Sequence, residues 1–358
     1  MTFSDGVEII YGLANFNCRK TKSVSAHHPG DKVMVQAICV HETGGPDVMR
    51  WEHIEVGEPG PGEARIRHTA VGLNFIDTYF RSGLYPAPAG VPFSPGNEGA
   101  GVVQTVGEGV THLSPGDRVA YVGPLGAYAQ ERIVPADRLV VLPDGIDDKT
   151  AAGMMLKGMT AQYLLRQTYS VGPDTTLLFH AAAGGVGLIA GQWAAHLGAT
   201  VIGTAGSEAK VELAKAHGYQ HVINYRTENF VDRVKDITGG KGCDVVYDSV
   251  GKDTYPGSLD CLKPRGLWVT FGQSSGPIAD FNLALLAQKG SLFATRPTLF
   301  SYIASREALE ATAGELFDVV QKGIVKIGVN QEYRLADAVQ AHQDLEGRKT
   351  TGTTVLIP

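Results

Sequence analysis

The chain has 358 residues, more than one hydrophobic core usually serves, so two domains are expected. Its 43% hydrophobic and 19% charged residues describe an ordinary globular chain, and the net charge of −6 gives no basic field for nucleic acid. No apolar run approaches the roughly 18 residues of a membrane span, and no pair among the four cysteines has CxxC spacing, which argues against a disulfide scaffold and a structural zinc site.

Residues 1–33 show no sustained periodicity. Asp5 and Glu8 stand early and no long apolar run follows, so a secretory signal is not indicated. The same acids argue against a mitochondrial presequence, despite Arg19, Lys20 and Lys22. The segment is expected to be a disordered extension, or to precede a true start at Met34, which is the preferred reading. Cysteine usage fits a reducing cytoplasm.

From Val35 to about Val141 short strands and turns dominate. Gln36–Val40, Glu63–His68 and Gly101–Val106 alternate or run apolar, and the clusters Gly44-Gly45-Pro46-Asp47 and Gly57–Gly62 separate such segments. An all-β, partly closed barrel with few helices is expected here. The character changes near Asp147. Ala151–Thr168 reads as a helix, and strands then alternate with helices. Leu177–Phe179, Thr200–Gly203, His221–Asn224, Val245–Tyr247 and Leu267–Phe271 are the strands; Glu208–His217 and Asn229–Thr238 carry helical spacing. Repeated β-α units imply an α/β fold with a doubly wound parallel sheet. A helix at Arg306–Lys322 and a strand at Thr353–Ile357 are expected to return to the first domain. The expected boundaries are 34–157 with 299–358 for that discontinuous domain, and 158–298 for the dinucleotide-binding one.

The run Ala181-Ala182-Ala183-Gly184-Gly185-Val186-Gly187 joins a buried strand to a helix. Free backbone N–H groups and a helix N-terminus at such a turn suit a pyrophosphate. The fingerprint G-x-G-x-x-G is matched in part, with Ala182, Gly184 and Gly187 in its three places and Gly185 extra. Alanine in the first place requires that its φ stay negative. Cofactor choice is read at the end of the second strand, Gly203-Thr204-Ala205-Gly206-Ser207, which has no carboxylate at its tip. Lys210 follows within one helical turn, and Tyr225-Arg226 ends the third strand. A small uncharged tip beside cations suits a 2′-phosphate, so NADPH is preferred over NADH. Glu208 is the countersign, harmless if solvent takes it up.

With these features assembled, the chain resembles the medium-chain dehydrogenase/reductase superfamily, and within it the quinone oxidoreductases of the zeta-crystallin type. The matching segments are Gly72–Tyr79, Arg81–Tyr85, Pro115–Val119, Leu156–Thr160, Phe179–Gly187 and Tyr247–Gly251, and the resemblance covers about Met34 to Pro358. It implies a GroES-like β domain beside a Rossmann domain. The zinc alcohol dehydrogenases of the superfamily bind catalytic zinc through a Cys, a Gly-His-Glu segment and a distant Cys. Here Asn74 stands at the cysteine place, Gly96-Asn97-Glu98 has asparagine in place of histidine, and the four-cysteine lobe is missing. Zinc needs thiolate and imidazole ligands, so a metal-free enzyme is expected.

The resemblance implies transfer of reducing equivalents from NADPH to a small aromatic quinone, an acceptor that needs no Lewis acid. It supports Asn74, Tyr79 and Arg296 as groups that orient or polarise the substrate, with Tyr85 lining the same cleft. Alternatives are loop capping for Asn74, packing for the two tyrosines and a cofactor partner for Arg296. His180 is expected to be a satisfied core histidine rather than a base. Further cofactor contacts carried over by position are Phe75, Ile76 and Asp77 near the nicotinamide, with Lys157 and Thr160. Ser249 and Val250, Gln273, Ser274, Ser275 and Gly276, and Pro297, Thr298 and Leu299 complete them. The resemblance also implies a homodimer joined through Leu267–Phe271 and Ser291–Thr295. Alternative readings are a zinc-free reductase of activated C=C bonds and a weakly catalytic NADPH-binding structural or RNA-associated protein.

Overall fold

A computed structural model describes residues 33–358. The expectation for the amino-terminal extension falls on residues 1–32, outside the described residues. The chain divides into two compact units, one running to Leu156 and joined by Ile303–Phe317 and Ile327–Pro358, the other formed by Lys157–Tyr302 and Asp318–Lys326.

The first unit opens with a two-stranded antiparallel sheet, β1 (Val33–Val40) on β2 (Met49–Val56). There follow β3 (Glu63–Leu73), the helix α1 (Phe75–Ser82), β4 (Glu98–Val106), β5 (Arg118–Val122), β6 (Glu131–Pro135) and β7 (Val140–Val141). β3 reads two environments along its length. Ala64, Ile66 and His68 point inward between more exposed neighbours, and then Ala70–Leu73 are all buried, as befits a strand covered on both faces. It pairs antiparallel with β4, and also with β6.

The helix α2 (Asp148–Gln162) continues into a π-helical turn, Tyr163–Thr168. The second unit then alternates strands with helices: β8 (Thr176–Phe179), α3 (Gly185–His196), β9 (Thr200–Ala205), α4 (Glu208–Lys215), β10 (His221–Asn224), α5 (Phe230–Ile237), β11 (Cys243–Asp248), β12 (Leu262–Thr270) and β13 (Phe293–Thr295), with short helices at Gly257–Asp260 and Ala284–Gln288 between the last three strands. The order is β10-β9-β8-β11-β12-β13, with every pair parallel. The chain winds outward from β8 to one side and then to the other, so the turn after β8 lies at the switch in strand order, where open parallel sheets bind ligands. The apolar residues that close this unit's core, among them Leu178, Ile202, Val246 and Trp268, are at most 2% exposed. Each such side chain contributes about 1.5–3 kcal/mol by leaving water.

The helix α6 (Arg306–Gln321) spans the boundary at Phe317, and the first unit is completed by β14 (Val329–Arg334), α7 (Ala338–Glu346) and β15 (Thr353–Ile357). β15 pairs antiparallel with β3, giving the order β14-β15-β3-β4-β5-β7. Among the described residues no helix is long and apolar enough to cross a membrane. Cys243 and Cys261 are buried and free. Cys39, in β1, is 0% exposed.

Candidate nucleotide and substrate site

In the second unit, the glycine turn takes the conformation a phosphate cradle needs. The residue in the left-handed region is Ala181, at φ 55°; Ala182, in the first glycine place, meets the condition set for it. Ala182 N–H donates to Thr204 O at 2.9 Å, fastening the turn to β9. Gly184 is the N-cap of α3 and no side chain caps it, so the first-turn N–H groups and the helix dipole open onto the turn. Gly187 admits no side chain, since a Cβ would lie 2.5 Å from Ala181 O and 2.6 Å from Ala182 O.

At the tip of β9, a Cβ on Gly206 would lie 2.4 Å from the Tyr225 hydroxyl. Ser207 caps α4, its hydroxyl accepting from Lys210 N–H at 3.4 Å. Lys210 itself is half-buried, and Tyr225 and Arg226 are exposed. Glu208 is exposed, and its carboxylate accepts from the Asn224 amide at 2.6 Å. The negative group nearest the tip is thus both solvated and engaged, and the tip combines a hydroxyl, a phenol and a cation.

The turns after β11 and β12 are tied to one another. Ser274 N–H donates to Ser249 O and Ser275 N–H to Val250 O, at 3.1 and 2.9 Å. Beneath them Asp248 accepts from Val250 and Gly251 N–H, from the Thr254 hydroxyl and from the Ser258 hydroxyl. Burial alone would raise this carboxyl; the neighbouring His180 and those hydrogen bonds hold it below the usual carboxylate range. His180, fully enclosed, lies 3.0 Å from the Thr204 hydroxyl and 3.1 Å from that of Ser258. Burial keeps its pKa low. It is a satisfied core histidine.

Arg296, after β13, is exposed and reaches back to β12, donating to Thr270 O and Gly272 O at 3.1 and 2.8 Å and to the Gln273 side chain at 3.3 Å. It lines a cavity of about 330 Å³ with Gln273, Thr270, Thr295, Trp268 and Phe281. Gly276 closes its turn through an N–H bond to Gln273 O. Pro297 and Thr298 are half-buried, and Leu299, Lys157 and Thr160 are buried.

In the first unit, the residues at the zinc-ligand places form a hydrogen-bonded group. Asn74 caps α1, and its N–H donates to the Asp77 carboxylate at 2.9 Å. One of its amide hydrogens goes to Glu98 at 2.7 Å. Asn97 donates to the other Asp77 oxygen at 2.7 Å, and Leu156 N–H donates to Glu98 at 2.6 Å. Asp77, Asn97 and Glu98 are all 0% exposed. Among the described residues no three His, Cys, Asp or Glu side chains gather to hold a metal ion. Phe75, Ile76, Tyr79 and Tyr85 are half-buried. The Tyr79 and Tyr85 rings meet edge to face, 5.2 Å between centroids. Sequence reasoning named Glu98 only as part of a lost metal motif, and passed over Asp248, Ser258, Tyr128 and His342. The segment Tyr247–Gly251 was the available signal for Asp248.

Two family models match the chain: Alcohol dehydrogenase GroES-like domain over residues 60–144 and Zinc-binding dehydrogenase over residues 185–320. A quinone oxidoreductase of Pseudomonas aeruginosa is 56% identical over 326 residues, which cover 91% of this chain and all of that protein. The chain belongs to the quinone oxidoreductase family. Its α/β architecture, a parallel Rossmann-like sheet with a GroES-like domain, is the family's. A crystal structure of the Escherichia coli quinone oxidoreductase in complex with NADPH superimposes with a TM-score of 0.87 at 49% identity, covering 90% of this chain and all of that one. A 2-haloacrylate reductase of a Burkholderia species is 49% identical over 331 residues, 91% of this chain and 99% of that protein.

Proposed function

We propose that the protein is a zinc-independent, NADPH-dependent reductase of small aromatic quinones. The observation that carries the reading is the tip of β9, where Gly206, Ser207, Lys210 and Tyr225 offer neutral and cationic groups and Glu208 is engaged by Asn224. It fits a 2′-phosphate and disfavours a bare ribose, and the NADPH-bound relative accords with it. Gly184, Gly185, Val186 and Gly187 hold the pyrophosphate on α3. The further cofactor contacts that the family resemblance implies are Ser249, Val250, Gln273, Ser274, Ser275, Gly276, Lys157, Thr160, Pro297, Thr298 and Leu299 of the second unit and Phe75, Ile76 and Asp77 of the first. When bound, NADPH supplies a hydride to an electron-poor acceptor. Asn74, Tyr79 and Arg296 orient the acceptor and offer hydrogen bonds to the oxygen on which charge develops, and Tyr85 packs its ring. Asn74 and Asn97 are amides committed to carboxylates, a donor set unsuited to zinc.

The domain assignment is part of this reading: the GroES-like unit carries Asn74, Tyr79 and Tyr85, and the Rossmann unit carries the glycine turn and Arg296. So are a cytoplasmic location and a homodimer. Of the two strands expected to join protomers, β12 lies inside the sheet and β13 at its edge, where Phe293 is 61% exposed. An apolar, uncovered edge favours pairing with a second copy.

A steady-state panel of quinones and enones with NADPH and NADH tests the proposal. NADPH oxidation is expected with quinones and unchanged by a chelator; activity lost to the chelator and regained with zinc overturns the metal-free reading. The 2-haloacrylate reductase relative favours a second reading, reduction of activated C=C bonds, which predicts turnover with the enone arm of the panel and none with the quinones.

A further inference from the structure

The helix α1 carries Asn74 at its cap and Tyr79 in its middle, yet the side chains it turns inward include Asp77 and Arg81, 0% and 2% exposed. Four residues apart, these lie on one face. They are linked to each other a second time, outside the helix. Arg81 approaches His342 Nδ1 at 3.4 Å, His342 Nε2 lies 3.1 Å from the Tyr128 hydroxyl, and that hydroxyl donates to Asp77 at 3.2 Å. Arg81 also makes a two-pronged pair with Glu346 of α7, both bonds 2.8 Å.

The direction of every bond follows from chemistry. A guanidinium only donates, so His342 Nδ1 accepts; Nε2 then carries the proton and donates to Tyr128, whose own hydrogen goes to Asp77. Burial and the Arg81 charge push the His342 pKa down to about 3, which keeps the ring neutral and this tautomer in place. The circuit is closed and has one sense.

We infer that Tyr128 and His342 are positioning residues that fix the rotation of α1 about its axis and so aim Asn74 and Tyr79. A helix advances about 100° per residue, so Tyr79 stands nearly opposite the Asp77 and Arg81 side, and any roll of α1 moves it. The same bonds hold Asp77 for the Asn74 N–H, which fixes the cap. None of the groups between Asp77 and Arg81 touches the reacting atoms; they act through α1.

The test uses the full chain and three variants. His342→Leu breaks the circuit, and His342→Gln restores it, since a glutamine amide accepts from Arg81 and donates to Tyr128. Tyr128→Phe deletes one hydroxyl and serves where the leucine variant does not fold. Hydrogen–deuterium exchange at α1 amides is expected to quicken about five- to tenfold in His342→Leu or Tyr128→Phe and to return toward wild type in His342→Gln. The kinetic half rests on the proposed quinone reductase reading: kcat falls by a similar factor while KM for NADPH stays within about twofold. Unchanged exchange in α1, or a glutamine variant as fast as the leucine one, overturns the inference. A wild-type chain that reduces no quinone or enone defeats the functional reading instead, and the exchange comparison still decides the circuit.

Discussion

Lys210 is the residue on which cofactor choice turns most directly. Its backbone N–H closes the Ser207 cap, at the strand tip where Gly206 and the Tyr225 hydroxyl meet. A cation–phosphate hydrogen bond is worth about 1.5–3 kcal/mol. Lys210→Ala is therefore expected to weaken NADPH at least tenfold while leaving NADH nearly unchanged, as measured by quenching of protein fluorescence. Equal losses for both cofactors would place the 2′-phosphate elsewhere. Glu208 shows why the choice needed coordinates: its carboxylate counts against NADPH in the sequence, and only the Asn224 contact shows it engaged.

Among elements, the β8–α3 joint is the most constrained. The helix can lie close to β8 because position 187 has no side chain, and Tyr219 donates to Gly187 O at 2.8 Å across the same contact. Gly187→Ala puts a methyl group on two carbonyl oxygens, which costs about 1–3 kcal/mol. A lower Tm and weaker NADPH binding are expected together; an unchanged Tm would mean that the turn relaxes freely. The elements also show what a sequence discloses. The inner parallel strands β8, β9 and β11 were legible within two residues, because strands buried on both faces are continuous apolar runs; β12 begins at Leu262, five residues before the expected Leu267. α1 was not legible, because it is only eight residues long and turns Asp77, Thr78 and Arg81 inward together with Phe80. β14 was missed for the opposite reason: none of its residues is buried, and its pattern carries no hydrophobic signal. The helix expected to run to Thr168 does so, but its last turn is π-helical, with Tyr169 N–H donating to Leu164 O. Likewise the glycine run and the bare β9 tip announced a nucleotide, whereas the Asp248 and Asp77 networks join residues far apart in sequence and needed the fold.

At the scale of the whole molecule, buried histidines contribute to acid sensitivity. His68 and His342 are both pushed down to about 3 by burial, each with a cationic arginine nearby, Arg132 and Arg81. Their folded pKa values lie below the ordinary 6.5, so the unfolded chain binds these protons first. Stability is therefore full above about pH 6.5 and falls as pH drops from there toward 3, by a few kcal/mol for each group. The urea midpoint is expected to decline over that window, and less steeply in His342→Gln. Parallel pH profiles for the two chains would refute this assignment.

The pairing of β15 with β3 sets the order in which the protein is made. Leu73 lies opposite Thr354, so the end of β3 that leads into Asn74 lacks this neighbour until Thr354 has been read. At about 5–20 residues per second that wait lasts on the order of tens of seconds. The Rossmann-like sheet is complete well before it, being drawn from a nearly continuous stretch. On the ribosome, the nucleotide half is thus ready first, and β3 gains its β15 neighbour only after it.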